Sequence, residues 1–263
     1  MLSMLKAAAR RILPAALIDR LRGRTPHVDE VTMIARLCRG VTGVMVDVGG
    51  HHGGSTRQFL DLGWSVIAYE PDPRNRAEFE KNIGAHPRVQ LSTCAVADKE
   101  EAAVQLFSSE VSSGISGLSA FHPSHVPTAT VQVVTLDRDL KRRAVDRVDF
   151  LKIDVEGYDF FALKGFDWAL RPRFALYEFE NRKTVPLGYT LQDTAAYMAD
   201  RGYHLLYSVW EPIVEYGTQH SWRGLFRSAP GDVEACWGNV LCFRDRADLE
   251  LCMRQSGGSG QRG

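Results

Sequence analysis

Four short stretches concentrate residue types that can do chemistry. The first, Asp47-Val-Gly-Gly-His-His-Gly-Gly-Ser-Thr56, puts a carboxylate two residues ahead of a glycine-rich turn. Glycines there let backbone approach a ligand closely, and an acid so placed suits a cationic group such as the amino group of an amino acid. The spacing of Gly49, Gly50, Gly53 and Gly54 does not fit the G-x-G-x-x-G of dinucleotide binders. The second stretch, Glu70-Pro-Asp72, offers an acid about 20 residues further on, where ribose hydroxyls are commonly bound. Glu70 suits any adenosine ligand; together with Asp47 it favours S-adenosylmethionine over NAD.

The third stretch is Lys152-Ile-Asp154-Val-Glu156-Gly157. Its two acids, leaving a strand beside a glycine, can bind a substrate hydroxyl, accept its proton or hold a divalent cation such as Mg2+. Glu156 could instead cap the helix that follows. The fourth is Glu178 with Glu180, at the end of the next strand, with Glu178 expected to face the same cleft. A solvated strand-end acid is the plainer alternative there.

The elements that must carry these residues alternate. Val44–Gly49, Trp64–Glu70, Arg88–Ala95, Phe150–Asp154 and Phe174–Phe179 read as buried strands, with Val104–Phe107, Thr130–Val134, His204–Val209 and Val240–Phe243 also strand-like. Ser55–Leu62, Pro73–Ile83, Tyr158–Leu170 and Thr190–Arg201 read as helices. Pro73 is suited to a helix start, and Thr190 and Gly202 to a cap and a stop. Strand–helix alternation implies an α/β domain whose mainly parallel sheet is covered on both faces, with ligands bound outside the carboxyl ends of the strands. Ser108–Thr128, rich in Ser, Gly, Pro and His, reads as a long surface loop, and such loops are often functional.

Five motifs, in this order and spacing, resemble the FkbM family of methyltransferases: Asp47–Thr56, Tyr69-Glu-Pro-Asp-Pro73, Ala95-Val-Ala-Asp98, Thr135-Leu-Asp137 and Leu151-Lys-Ile-Asp-Val-Glu-Gly157. The likeness runs over roughly residues 44 to 180, and Gly238-Asn-Val-Leu-Cys-Phe243 resembles the family too. The resemblance implies a Rossmann-like class I methyltransferase fold with a mainly parallel seven-stranded sheet. It also implies S-adenosylmethionine as cofactor and O-methylation of a hydroxyl on a sugar, glycan or related natural product. Carried onto this chain, the cofactor set is Asp47, Gly49, Gly50, His51, Gly53, Thr56, Glu70, Pro71, Asp72, Cys94, Ala95 and Asp154. The family usually has Ala and Asn where this chain has Gly50 and His51, so His51 and His52 become candidates for the cofactor carboxylate or the substrate.

Catalysis is expected from Asp154, Glu156 and Glu178, the same three acids being the candidate metal ligands. Asp154 and Glu156 would contact substrate or metal; Glu178 or one of His122, His125 and His220 would be the base. The acceptor pocket is expected from the loop, with Ser113 and His122, and from Trp210–Trp237, with His220 and Trp222. Aromatic faces stack on sugar rings and polar tips select hydroxyls.

Composition bounds the alternatives. The 263 residues suit one sizeable domain, residues 31–255, with a basic N-terminal segment, 1–30, and a flexible tail, 256–263. Lys+Arg and Asp+Glu are both 32, a balance that does not call for nucleic acid as partner. Five scattered cysteines without a CxxC pair argue against a disulfide framework or thiolate zinc site and for a reducing, cytoplasmic setting. No apolar run approaches the roughly 18–20 residues that span a bilayer, and Ile12–Ile18, interrupted by Pro14, is too short for a secretory h-region. With Lys6, Arg10, Arg11, Arg20, Arg22 and Arg24 around it, this segment is expected to pack on the domain or to touch anionic lipid at the membrane surface. The rival functions are an NAD-dependent oxidoreductase on a related sheet, a cofactor-binding protein without catalysis, and a methyltransferase acting on protein or RNA.

Overall fold

A computed structural model describes residues 27–256 except 217 and 219. The expected basic segment, up to residue 26, and the tail from 257 onward lie outside the described residues.

Apolar runs too short for helices form the centre of the main sheet: β1 (Val44–Val48), β2 (Ser65–Tyr69), β3 (Val89–Ser92), β7 (Phe150–Ile153) and β8 (Phe174–Phe179). These five are mutually parallel in the order β3-β2-β1-β7-β8. Beyond β8 the sheet turns antiparallel through β11 (Trp237–Phe243), β9 (His204–Trp210) and β10 (Trp222–Phe226). The sheet therefore has eight strands, not seven. The extra one is Trp222–Phe226, which pairs with β9 across a register shift between Trp222 and Gly224. Its irregularity hides the period-2 pattern that would announce a strand.

A second, three-stranded sheet holds β4 (Ala95–Val96), β6 (Val126–Val134) and β5 (Glu101–Ser108). The expected third strand, 88–95, is thus two strands in two sheets. The chain bends after Ser92, whose Oγ accepts from the Cys94 amide at 3.3 Å, and Ala95 then pairs with Val133. Because β5 and β6 extend further than expected, the loop between them narrows to residues 109–125.

Alternate residues of the parallel strands enter two cores, one on each face of the sheet. Val46, Val48, Ile67, Leu151 and Ile153 meet α4 (Leu136–Arg142), α5 (Asp159–Lys164) and α7 (Leu191–Ala199). Met45, Val66, Ala68 and Phe150 meet α1 (Glu30–Leu37), α2 (Gly54–Asp61), α3 (Pro73–Ile83) and α8 (Arg246–Gln255). The short α6 (Asn181–Thr184) follows β8 directly. Thr190 caps α7 in a reciprocal box with Asp193, as its position suggested. The expected helix 158–170 is broken. It stops at Gly165, where a Cβ would lie 2.2 Å from the Ala97 carbonyl, and Trp168–Leu170 forms a separate 3-10 turn. Phe160, expected on its buried face, is only partly buried. Among the described residues no helix is long and apolar enough to cross a membrane.

Candidate active site

Strand order reverses at β1, between β2 and β7, and open parallel sheets bind ligands at such a switch point. A cleft of about 420 Å3 opens there, at the carboxyl ends of β1, β2, β7 and β8.

Its floor is the turn after β1. Gly49 has φ +79°, and a Cβ there would stand 1.9 Å from the Asp154 carbonyl oxygen, so this position admits only glycine. His51 holds a left-handed φ of 47° although it has a side chain. Glu70, at the end of β2, pins this turn: it accepts from the amides of His51 at 2.7 Å and Asp72 at 2.9 Å. Burial pushes the Glu70 carboxyl up to about 7, against those amide bonds. Burial, with the stacked ring of His52, lowers His51 to about 4, leaving a neutral ring whose Nε2 lies 3.0 Å from Ser113 Oγ.

Beneath the floor, fully buried Asp47 accepts from Thr56 Oγ1 at 2.8 Å and stands 3.3 Å from Lys152 Nζ. Lys152 also donates to the Gly49 carbonyl at 2.7 Å and lies 3.6 Å from Asp154. Burial opposes its charge, but Asp47 and Asp154 outweigh that and hold the ammonium protonated beyond its ordinary range.

The opposite wall comes from β7 and β8. Asp154 is exposed; Glu156 is buried, in a left-handed conformation at φ 56°. Carboxylate oxygens of Asp154, Glu156 and Glu178 fall within 4.8 Å of one another. Lys183, 2% exposed in α6, reaches Glu156 at 2.6 Å, Glu178 at 2.9 Å and Glu180 at 3.0 Å. Burial raises Glu156 to about 7 against the pull of Lys183. Asp159 behind them is also raised to about 7, by burial and by Glu178, and receives the Gly157 amide at 3.2 Å. Glu156 does not cap the following helix: Tyr158 holds that position, without a side-chain cap.

The roof is the loop 109–125 with Ile213, Tyr216, His220 and Trp237. Buried Asp72 anchors it by accepting from Ser108 at 2.6 Å and Ser116 at 2.8 Å, while also capping α3 through the Arg74 amide. Burial works against this carboxylate's charge, yet these hydroxyls and the Arg74 amide keep it below its ordinary pKa.

Of the residues expected from sequence, Gly49, Gly50, His51, Glu70, Pro71, Cys94, Ala95, Ser113, Asp154, Glu156, Glu178 and His220 line the cleft. Asp47, Gly53, Thr56 and Asp72 do not; they sit one layer back. Gly53, with φ +84°, starts α2 where a Cβ would meet Ile83 at 2.7 Å, and Thr56 and Asp72 orient neighbours as described. Two expectations for the acceptor pocket are corrected. His122 turns away, bonding Ser124 at 2.6 Å and packing edge-on to Tyr216. Trp222 lies on edge strand β10, donating to Ser208 at 2.9 Å beside His27. His125 packs against Phe121 and likewise does not line the cleft. Among the described residues of 210–237, Ile213, Tyr216, His220 and Trp237 line it. Sequence reasoning assigned no role to Lys183 or Lys152. The three-residue step from Glu180 to Lys183, one helical turn, was the available signal for the first.

The strand order and the switch-point cleft define a Rossmann-like class I methyltransferase fold. Residues 47–205 match the model for the methyltransferase FkbM domain, and the chain belongs to that family. No curated protein matches it in sequence. Among solved structures it is similar to precorrin-6y C5,15-methyltransferase from Geobacter metallireducens GS-15, with TM-score 0.43, 11% identity, and 81% of this chain and 85% of that one covered. An rRNA methylase from Streptococcus thermophilus gives TM-score 0.40 and 8% identity over 81% and 92%. M. capricolum TrmK, solved with S-adenosylhomocysteine, gives TM-score 0.41 and 7% identity over 83% and 69%.

Proposed function

We propose that the protein is an S-adenosylmethionine-dependent O-methyltransferase whose acceptor is a hydroxyl on a sugar, glycan or related natural product. The observation carrying this reading is the convergence of Asp154, Glu156 and Glu178 within 4.8 Å, in the same cleft as Glu70 and the turn after β1.

The donor set fits the cofactor. Glu70 keeps lone pairs beyond its two amide bonds for ribose hydroxyls, and the turn at Gly49–Gly50 presents backbone at the cleft surface. The cofactor supplies a methyl group already activated by its sulfonium charge. The chain's residues must align an acceptor oxygen and remove its proton. Asp154, open to the cleft, is suited to orient the hydroxyl. Glu156, raised to about 7, is suited to take the proton at neutral pH. The chain's own contribution would be to hold the hydroxyl at Asp154 and move its proton to Glu156, with the bound cofactor supplying the methyl group to the oxygen so freed. Tyr216, His220 and Trp237 give the aromatic and polar surface that sugar rings favour.

Calorimetric titration with S-adenosylmethionine and S-adenosylhomocysteine, with NAD as control, tests the cofactor. Binding of the sulfur nucleotides alone is expected; binding of NAD alone overturns the reading. Asp154→Asn should then bind cofactor yet lose transfer to glycan hydroxyls, and unchanged turnover would remove Asp154 from the mechanism.

A further inference from the structure

Oxygens of three carboxylates converging within 4.8 Å are, by donor type and number, what a hard divalent cation selects. The space they surround already faces a cation of the chain's own. Lys183 Nζ donates to Glu156 at 2.6 Å and to Glu178 at 2.9 Å and ion-pairs with Glu180 at 3.0 Å, so one ammonium meets three carboxylates. The fold delivers it there firmly. Lys183 lies on α6, the first turn of chain after β8, which carries Glu178. Gly157 makes room for it, since a Cβ at 157 would stand 3.3 Å from the Lys183 Cβ. The rings of Phe121 and Tyr216 lie 5.2 and 5.9 Å from the ammonium, adding cation–π attraction and covering it from water. A dication entering beside this ammonium would meet strong repulsion in a poorly solvated site.

We propose that Lys183 is the resident cation of the cleft: its ammonium serves the carboxylates of Glu156 and Glu178 in place of a divalent ion, and the site takes up no metal while Lys183 is present. Lys183, in the cleft wall, is a positioning residue that holds the carboxylates in register. Only the activity arm of the test rests on the methyltransferase reading.

The test is calorimetric titration of the full chain with Mn2+ and Mg2+. Wild type is expected to give no saturable binding, and Lys183→Arg, which keeps the charge, to behave likewise. Lys183→Met should gain a saturable Mn2+ site, lost again when Glu156→Gln is added. Lys183→Met with Glu180→Gln, which reduces the excess of buried acids, serves if the single variant does not fold. Saturable binding to wild type that Glu156→Gln removes would overturn the proposal, as would folded Lys183→Met variants that gain no affinity. If no Lys183→Met variant folds, the wild-type titration decides. In the activity arm, wild-type turnover should be unchanged by EDTA or by added Mg2+. Failure of S-adenosylmethionine to bind would sink the methyltransferase reading alone, because the metal titration needs no cofactor.

Discussion

Lys152, on β7, donates from Nζ to the carbonyl oxygen of Gly49 at 2.7 Å, so the strand carrying Asp154 holds the turn that follows β1. The same ammonium neutralises Asp47, which has no exposed surface. Lys152→Ala would leave a buried carboxylate uncompensated, a change that typically costs about 3–5 kcal/mol. Urea unfolding should register a loss of that size. An effect under about 1 kcal/mol, the ordinary range for a surface pair, would mean Asp47 is not held this way.

Thr56 does not line the cleft but bonds Asp47 at 2.8 Å with both side chains fully buried. Thr56→Val keeps the shape and removes the hydroxyl, for an expected cost of about 1–3 kcal/mol. Affinity for S-adenosylmethionine should fall with it, because the carboxylate behind the turn loses its orientation. Unaltered affinity by calorimetry would separate Asp47 from cofactor binding.

Gly49→Ala should fail to give folded protein. The added methyl would lie 1.9 Å from the Asp154 carbonyl, and φ +79° disfavours any side chain. A cooperative melt near that of wild type, followed by circular dichroism, would contradict the packing described.

Activity and stability should respond to pH in opposite senses. Glu156, raised from 4.5 to about 7, can accept a proton only when ionised. Acceptor kcat/KM should therefore fall as pH drops through about 7, and Glu156→Gln should abolish that limb along with most turnover. The folded protein binds this proton more tightly than the unfolded chain does. Glu156 therefore contributes stability below about 4.5 that is lost as pH rises to about 7. Glu70 and Asp159 share the sign. Denaturant midpoints measured across this window should decline less steeply in Glu156→Gln.

Ser116→Ala removes the hydroxyl by which Asp72 ties the 109–125 loop to the end of β2, leaving the bond from Ser108 at the end of β5. The loop's amides should exchange hydrogen faster while α3 stays protected, since Asp72 keeps its cap on Arg74. Equal loosening of α3 would show that cap and loop anchor act as one unit.

The parallel strands and the helices α2, α3 and α7 were legible because each is specified locally, whereas α1, α4, α6 and α8 were not read from the sequence. Val44–Val48 and Phe174–Phe179 are short apolar runs, Pro73 opens α3, and Thr190 with Asp193 forms a cap within four residues. What escaped depends on distant chain. Arg88–Ala95 reads as one strand until Val133 claims Ala95. Tyr158–Leu170 reads as one helix until the Ala97 carbonyl forbids a longer one past Gly165. Trp222 is an aromatic in a segment rich in them, and only pairing with β9 reveals that it faces away from the cleft.

By itself the sequence determined the α/β sheet, the family, and the acids that gather at strand ends, because periodicity, turn glycines and motif spacing are properties of neighbouring residues. Tertiary structure alone decided which of those residues touch the cleft and which stand behind it. It also decided that Lys152 and Lys183 are the countercharges, since burial and ion pairing are set by chain folded back from far away, from Asp47 to Lys152 and from Glu156 to Lys183.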